Sequence, residues 1–197
     1  MCGRYALFRW NAAFAALPGF PSDQQPHWSL APGASVLLLR QVDEALQLSR
    51  VRWGLTPPWL SDFTRTAEQP MFLDSFRQRR GVLPANGFYE WRGTARKRPY
   101  WMTAEDSLMY FAAVWEAYPV EGHSYLSAAV VTRPASNQRR PLLLDQTGMT
   151  AWLDPQTPLE TLQLLLAAPQ PALRERPLAT FVNDPKLDAP ECLTPVN

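Results

Sequence analysis

Apolar positions recur at helical spacing over 8–17, where Trp10, Ala13, Phe14 and Leu17 share one side and Pro18-Gly19 stops the run, so a short amphipathic helix is predicted there. Two apolar runs, Ser35 to Arg40 and Leu46 to Trp53, flank the polar Gln41-Val42-Asp43-Glu44 and read as strand, turn and strand. Pro70 opens a second predicted helix through Arg80, with Met71, Phe72, Leu73 and Phe76 on its apolar side. Further strands are predicted at 87–91, 99–103, 108–115 and 125–132, spaced as in a curled antiparallel sheet. Ala151–Leu153 and Leu159–Ala167 read as helical, the second between Thr157-Pro158 and Pro169. From Pro177 onward the chain reads as extended, with Phe181-Val182 available as an edge strand.

Composition narrows the picture. With 197 residues, 46% of them hydrophobic, the chain can bury one sizeable core and reads as a single domain over residues 1–197. Twenty prolines are about double the average share of ~5% and argue for turns and edge segments over a helical bundle. A formal charge of +1 announces no global field for nucleic acid, so any such site must be a local patch. Basic residues do cluster, at Arg77, Arg79 and Arg80, at Arg92, Arg96, Lys97 and Arg98, and at Arg133, Arg139 and Arg140. Each cluster is either a solvated surface or one side of a shared groove.

No apolar run approaches the ~18 residues of a membrane span, and no charged and apolar leader opens the chain, so a soluble protein of a reducing cytoplasm, without membrane partners, is expected. Cys2 and Cys192 show no metal-ligand spacing, so neither a metal, a cofactor nor a structural disulfide is expected. A monomer is the simplest assumption.

Cys2 carries the chemistry. It follows Met1 in Met1-Cys2-Gly3-Arg4-Tyr5-Ala6, and a small second residue favours removal of the methionine. The freed α-amine, near pKa ~7.7–8.0, and the thiol, near ~8.5, would then sit on neighbouring carbons, both partly nucleophilic at neutral pH. Such a pair captures an aldehyde as an imine and closes it to a five-membered thiazolidine. The plain alternative is a small, buried, inert thiol.

Several stretches occur together in an order that resembles the SOS response-associated peptidase family, the SRAP domain. They are Met1-Cys2-Gly3-Arg4-Tyr5, Ala31-Pro32-Gly33, Arg52-Trp53-Gly54-Leu55-Thr56-Pro57-Pro58-Trp59, Leu83-Pro84-Ala85-Asn86-Gly87-Phe88-Tyr89-Glu90-Trp91, Ala113-Val114-Trp115-Glu116 and Val182-Asn183. The resemblance implies an α+β fold whose mostly antiparallel, barrel-like sheet cradles the amino terminus, with short helices outside. It also implies capture of abasic sites in single-stranded DNA by Cys2, as a thiazolidine crosslink that shields the lesion. Glu90 matches the family's catalytic glutamate, expected to relay protons with its acidity weakened by burial beside Phe88, Tyr89 and Trp91. Otherwise it is a strand residue paired with a nearby arginine. The resemblance assigns Pro32, Trp53 and Thr132 to the DNA channel. Arg4 suits a phosphate beside the lesion, and Trp53 or Trp59 a stacked base.

Two parts of the family pattern are missing. The Asn-Ala-Arg-x-Glu segment has no counterpart in 60–69, where Arg65 is a loose substitute for the DNA-binding arginine. At the histidine of His-x-Arg-Met-Pro stands Asn137, within Ser136-Asn137-Gln138-Arg139-Arg140-Pro141; His27 and His123 read as loop or surface residues. Asparagine does not titrate near neutrality, so ring closure by Cys2 is expected to survive while release or lyase turnover is slow or absent. Two other readings use the same pocket. One is an amino-terminal-nucleophile peptidase, the other a non-catalytic DNA-binding relic.

Overall fold

Val36 to Leu39 form an unbroken buried run, and that is the signature of a strand covered on both faces. In the computed structural model, which describes residues 3–54, 73–104, 108–135 and 138–196, this run lies in β3 (Ser35–Val42). It joins β4 (Ala45–Trp53), β9 (His123–Val130), β8 (Met109–Val120) and β5 (Arg80–Ala85) in a closed barrel, in the order β3-β4-β9-β8-β5. All neighbours are antiparallel except β4 and β9, which run parallel through Arg52↔Ser127 and Trp53↔Ala128. Val82, Leu83, Phe111, Ala112 and Ala113 are fully buried at the β5–β8 seam.

A second sheet of five strands has the order β12-β7-β6-β1-β2, made by Arg174–Pro177, Arg98–Thr103, Gly87–Arg92, Tyr5–Leu7 and His27–Leu30. Side chains alternate across it. Tyr5 and Phe88 enter the barrel-side core, whereas Ala6, Tyr89 and Trp101 meet Leu178, Val182 and Cys192 from the carboxy-terminal segment. A short hairpin, β10 (Thr132–Ala135) with β11 (Gln138–Pro141), completes the strands among the described residues. Among the described residues four short α-helices accompany them: α1 (Ala12–Ala15), α2 (Leu73–Gln78), α3 (Gln146–Leu153) and α4 (Leu159–Ala167). The architecture is α+β, mostly antiparallel, with one closed barrel.

Several sequence expectations change. The helix over 8–17 shrinks to α1, capped by Asn11, whose side chain accepts from Phe14 N–H at 2.8 Å. The helix expected through Arg80 ends at Gln78, and Arg80 already belongs to β5; Pro70, Met71 and Phe72 lie outside the described residues. The strand expected over 125–132 ends at Val130, with Thr132 starting the separate β10. Phe181-Val182 adds no edge strand, because it lies in a 3-10 turn, Thr180–Asn183. Strands β1, β2, β5, β11 and β12 escape the periodicity: β1 has three residues, and β5 is buried throughout.

Two glycines are dictated by geometry. Gly87 packs against Trp101 so closely that a Cβ would sit 2.4 Å from its ring. Gly33 has φ +95° in a turn closed by Ala34 N–H to Ala31 C=O at 3.0 Å, the glycine-favouring third position after Pro32.

Candidate functional site

Strand β1 is held on both edges, Tyr5 facing Leu30 of β2 on one side and Phe88 of β6 on the other. Pairing with β6 reaches Arg4, whose carbonyl accepts from Tyr89 N–H at 3.0 Å, so Gly3 leaves the sheet beside Glu90. Beyond β1 the chain is pinned by Asn86. Its side-chain carbonyl accepts from Phe8 N–H at 2.7 Å and Arg9 N–H at 2.9 Å, while its amide donates to Arg9 C=O at 2.9 Å. Cys2, the residue with the candidate nucleophiles, lies outside the described residues, as do Trp59, Arg65 and Asn137.

Glu90 is 5% exposed and fully engaged. Its Oε1 accepts from Arg140 Nε at 2.6 Å, and its Oε2 accepts from Arg92 NH2 at 2.8 Å and Arg140 NH2 at 3.1 Å. Both guanidiniums also meet Glu175, Arg92 NH1 at 2.7 Å and Arg140 NH2 at 3.2 Å. The result is a closed quartet of two arginines and two carboxylates, with Arg92 stacked over Tyr100 at 4.5 Å. Burial raises the pKa of Glu90, but the bonds from Arg140 and Arg92 outweigh it and hold the group below the usual carboxylate range. The weakened acid expected from the aromatic neighbours is therefore corrected: Phe88 and Tyr89 bury the strand, while two cations face the carboxylate. Glu175 is held low as well, first by Arg92.

The opposite face of β6 carries Trp91, and there Arg4 lies over the indole at 5.2 Å. Arg4 also donates to Val182 C=O, and Trp91 Nε1 donates to Asn183 Oδ1 at 2.7 Å. Gly3, Arg4, Trp91 and Asn183 line an open hollow of about 330 Å³. Arg4 is thus tied to the carboxy-terminal segment and stays half-buried.

The other expected channel residues are dispersed. Pro32 is exposed at the tip of its turn. Trp53 is 5% exposed, its ring edge-on to Tyr5 at 5.1 Å, so it offers no open stacking face in these contacts. Thr132 is half-buried, accepting from Arg139 at its hydroxyl (2.9 Å) and carbonyl (2.8 Å). The basic clusters are mostly spent internally. Arg79 pairs with Glu116 at 2.7 Å, Arg80 is buried, and Arg133 donates to Ala168 C=O. Arg77, Arg96, Lys97 and Arg98 remain exposed. His27 pairs with Asp188 at 2.7 Å on the edge strand, and His123 is exposed. Among the described residues no group of His, Cys, Asp and Glu could hold a metal, and no helix is long and apolar enough to cross a membrane.

Sequence reasoning missed Arg140, Glu175 and the Trp91–Asn183 bond. The forewarnings lay in the alternative that Glu90 pairs with a nearby arginine, and in Arg140 itself, a cation at the methionine of the His-x-Arg-Met-Pro pattern.

Comparison with known proteins adds four observations. A family model described as SOS response associated peptidase (SRAP) matches residues 1–185. The chain is 26% identical to the abasic site processing protein YoaM of Bacillus subtilis, covering 100% of this chain and 99% of that protein. It is 28% identical to YedK of Escherichia coli over 78% of this chain and 79% of that one, and YedK bears the same description. In three dimensions it is similar to a crystal structure of a Bacteroides thetaiotaomicron protein, with a TM-score of 0.82 at 17% identity and complete coverage of both chains.

Proposed function

Because the chain belongs to the SOS response associated peptidase (SRAP) family, we propose that it captures abasic sites in single-stranded DNA through Cys2. The relatives named as abasic site processing proteins support the lesion as target. The observation that supports the reading is the placement of β1 between β2 and β6, which sets Gly3, the residue after Cys2 in the sequence, at the register position opposite the buried Glu90.

The chemistry follows from the groups. The α-amine of Cys2 adds to the aldehyde carbon of the ring-opened sugar and loses a proton as the carbinolamine forms. The former aldehyde oxygen takes the proton released by the Cys2 thiol to become a hydroxyl, then a second proton, and leaves as water, giving an iminium. The thiolate then adds to that carbon and closes the thiazolidine, for a net loss of one water. Glu90, ionised and adjacent, accepts the first proton and returns it to the departing hydroxyl. The hollow beside Gly3 and Arg4 receives the neighbouring sugar-phosphate, and Pro32, Thr132 and the exposed Arg96, Lys97 and Arg98 extend the DNA path.

A second reading draws on the quartet. Glu90 satisfied by two arginines is also what a structural ion pair looks like, which favours a DNA-binding protein without chemistry. Intact mass before and after incubation with an abasic oligonucleotide separates the two. Loss of Met1 and a boiling-resistant adduct, abolished in Cys2→Ala and in an amino-terminally extended form, is the expected result. Salt-dependent binding with no adduct would establish the second reading instead.

A further inference from the structure

Glu90 is reached by cations from two separate parts of the chain, Arg92 on its own strand and Arg140 from the β10–β11 hairpin, 50 residues away in sequence. Arg140 contributes a fork, Nε to one carboxylate oxygen at 2.6 Å and NH2 to the other at 3.1 Å, which fixes the carboxylate plane as well as its charge. Its remaining reach goes to Glu175 on β12, which anchors it from outside. The hairpin that supplies Arg140 is the one in which Asn137 replaces a titrating imidazole.

We infer that Arg140 is a positioning residue for aldehyde capture, holding the Glu90 carboxylate in one orientation so that it takes the proton shed by the attacking amine. The inference rests on the capture reading above. In this arrangement the hairpin delivers a permanent cation to the Glu90 carboxylate. Glu90 accordingly works as the proton acceptor when the amine adds to the aldehyde.

The charged and titratable groups around Glu90, among the described residues, are these. Arg92 comes from β6, Arg140 from β11, and Glu175 from β12 behind both guanidiniums. Tyr100 lies across from Glu90 on β7, and Arg4 turns to the other face of the sheet. The expected pH dependence follows in sign. With both cations in place Glu90 stays ionised into acid, and removal of Arg140 brings its protonation closer to neutrality.

The test is the initial rate of boiling-resistant adduct with a single-stranded oligonucleotide bearing one abasic site, measured from about pH 4 to 8. Arg140→Met is expected to move the acid limb towards neutrality, a roughly two- to fivefold loss near pH 4 with little change at neutrality. Arg140→Lys should restore most of it, and Arg140→Gln carries the same test where Met does not fold. An unchanged profile in a folded Arg140→Met or Arg140→Gln protein, or a rate lowered equally at every pH, overturns the inference alone. No adduct from the unaltered protein at any pH overturns the capture reading and this role together.

Discussion

Asn86 spends its whole side-chain amide on the chain leaving β1, accepting from Phe8 and Arg9 N–H and donating to Arg9 C=O. Replacing it with alanine strands three backbone groups at a 7% exposed position. The expected cost is about 2–4 kcal/mol, read from urea unfolding. The carboxylates of the quartet set the acid behaviour. Glu90 and Glu175 are both held below their ordinary range in the folded protein, so the stability they contribute is present above ~4.3 and is lost as pH falls through their lowered values. Denaturation midpoints collected from neutrality into acid should decline there, and less steeply in a Glu90→Gln, Glu175→Gln double variant. Aromatic neighbours in the run Gly87 to Trp91 suggest a desolvated acid, but Arg92 follows directly on β6 and Arg140 comes from β11, which only tertiary folding brings near.

Arg80 joins two helices to the barrel. Its guanidinium donates to Phe76 and Arg77 C=O at the end of α2, and to Trp152 C=O at 2.7 Å and Asp154 C=O at 2.6 Å at the end of α3. A cation buried among the carbonyl ends of two helices complements both dipoles. Arg80→Met should cost about 3 kcal/mol or more, because four carbonyls lose their donor, those of Phe76 and Trp152 away from water; thermal unfolding would register it. The β3–β4 hairpin is the reverse case. Asp43 and Glu44 both adopt positive φ, 47° and 66°, where side chains other than Asn and Gly are strained. The double change Asp43→Asn, Glu44→Gly should raise stability by about 1 kcal/mol in the same assay. That hairpin was also the easiest to read from sequence, since two long apolar runs flank a polar turn. The end of α2 was not, because Arg77, Arg79 and Arg80 continue a helical-looking polar rhythm while Arg80 turns inward.

Across the molecule, the carboxy-terminal segment covers the outer face of the β1–β6 pair, placing Val182 and Cys192 against Ala6, Tyr89 and Trp101. Cys192 is fully buried and its thiol is pushed up by burial, so a thiol reagent at neutral pH should label it only after unfolding; timed labelling with and without denaturant checks this. The motifs quoted from the sequence brought Tyr5, Phe88, Glu90 and Asn183 to one region, because residues that serve one site recur as short strings. What joins them, Arg140, Glu175 and the clasp of Arg4 on Val182, is pairing between distant segments, which no local pattern encodes. That clasp has a consequence in time. The first residues leave the ribosome long before their partners at 85–90 and 182–183 exist. At about 5–20 residues per second, the amino terminus spends roughly ten seconds or more unsheltered and open to trimming. The hollow lined by Gly3, Arg4, Trp91 and Asn183 closes only near the end of synthesis, so the segment made first is enclosed last.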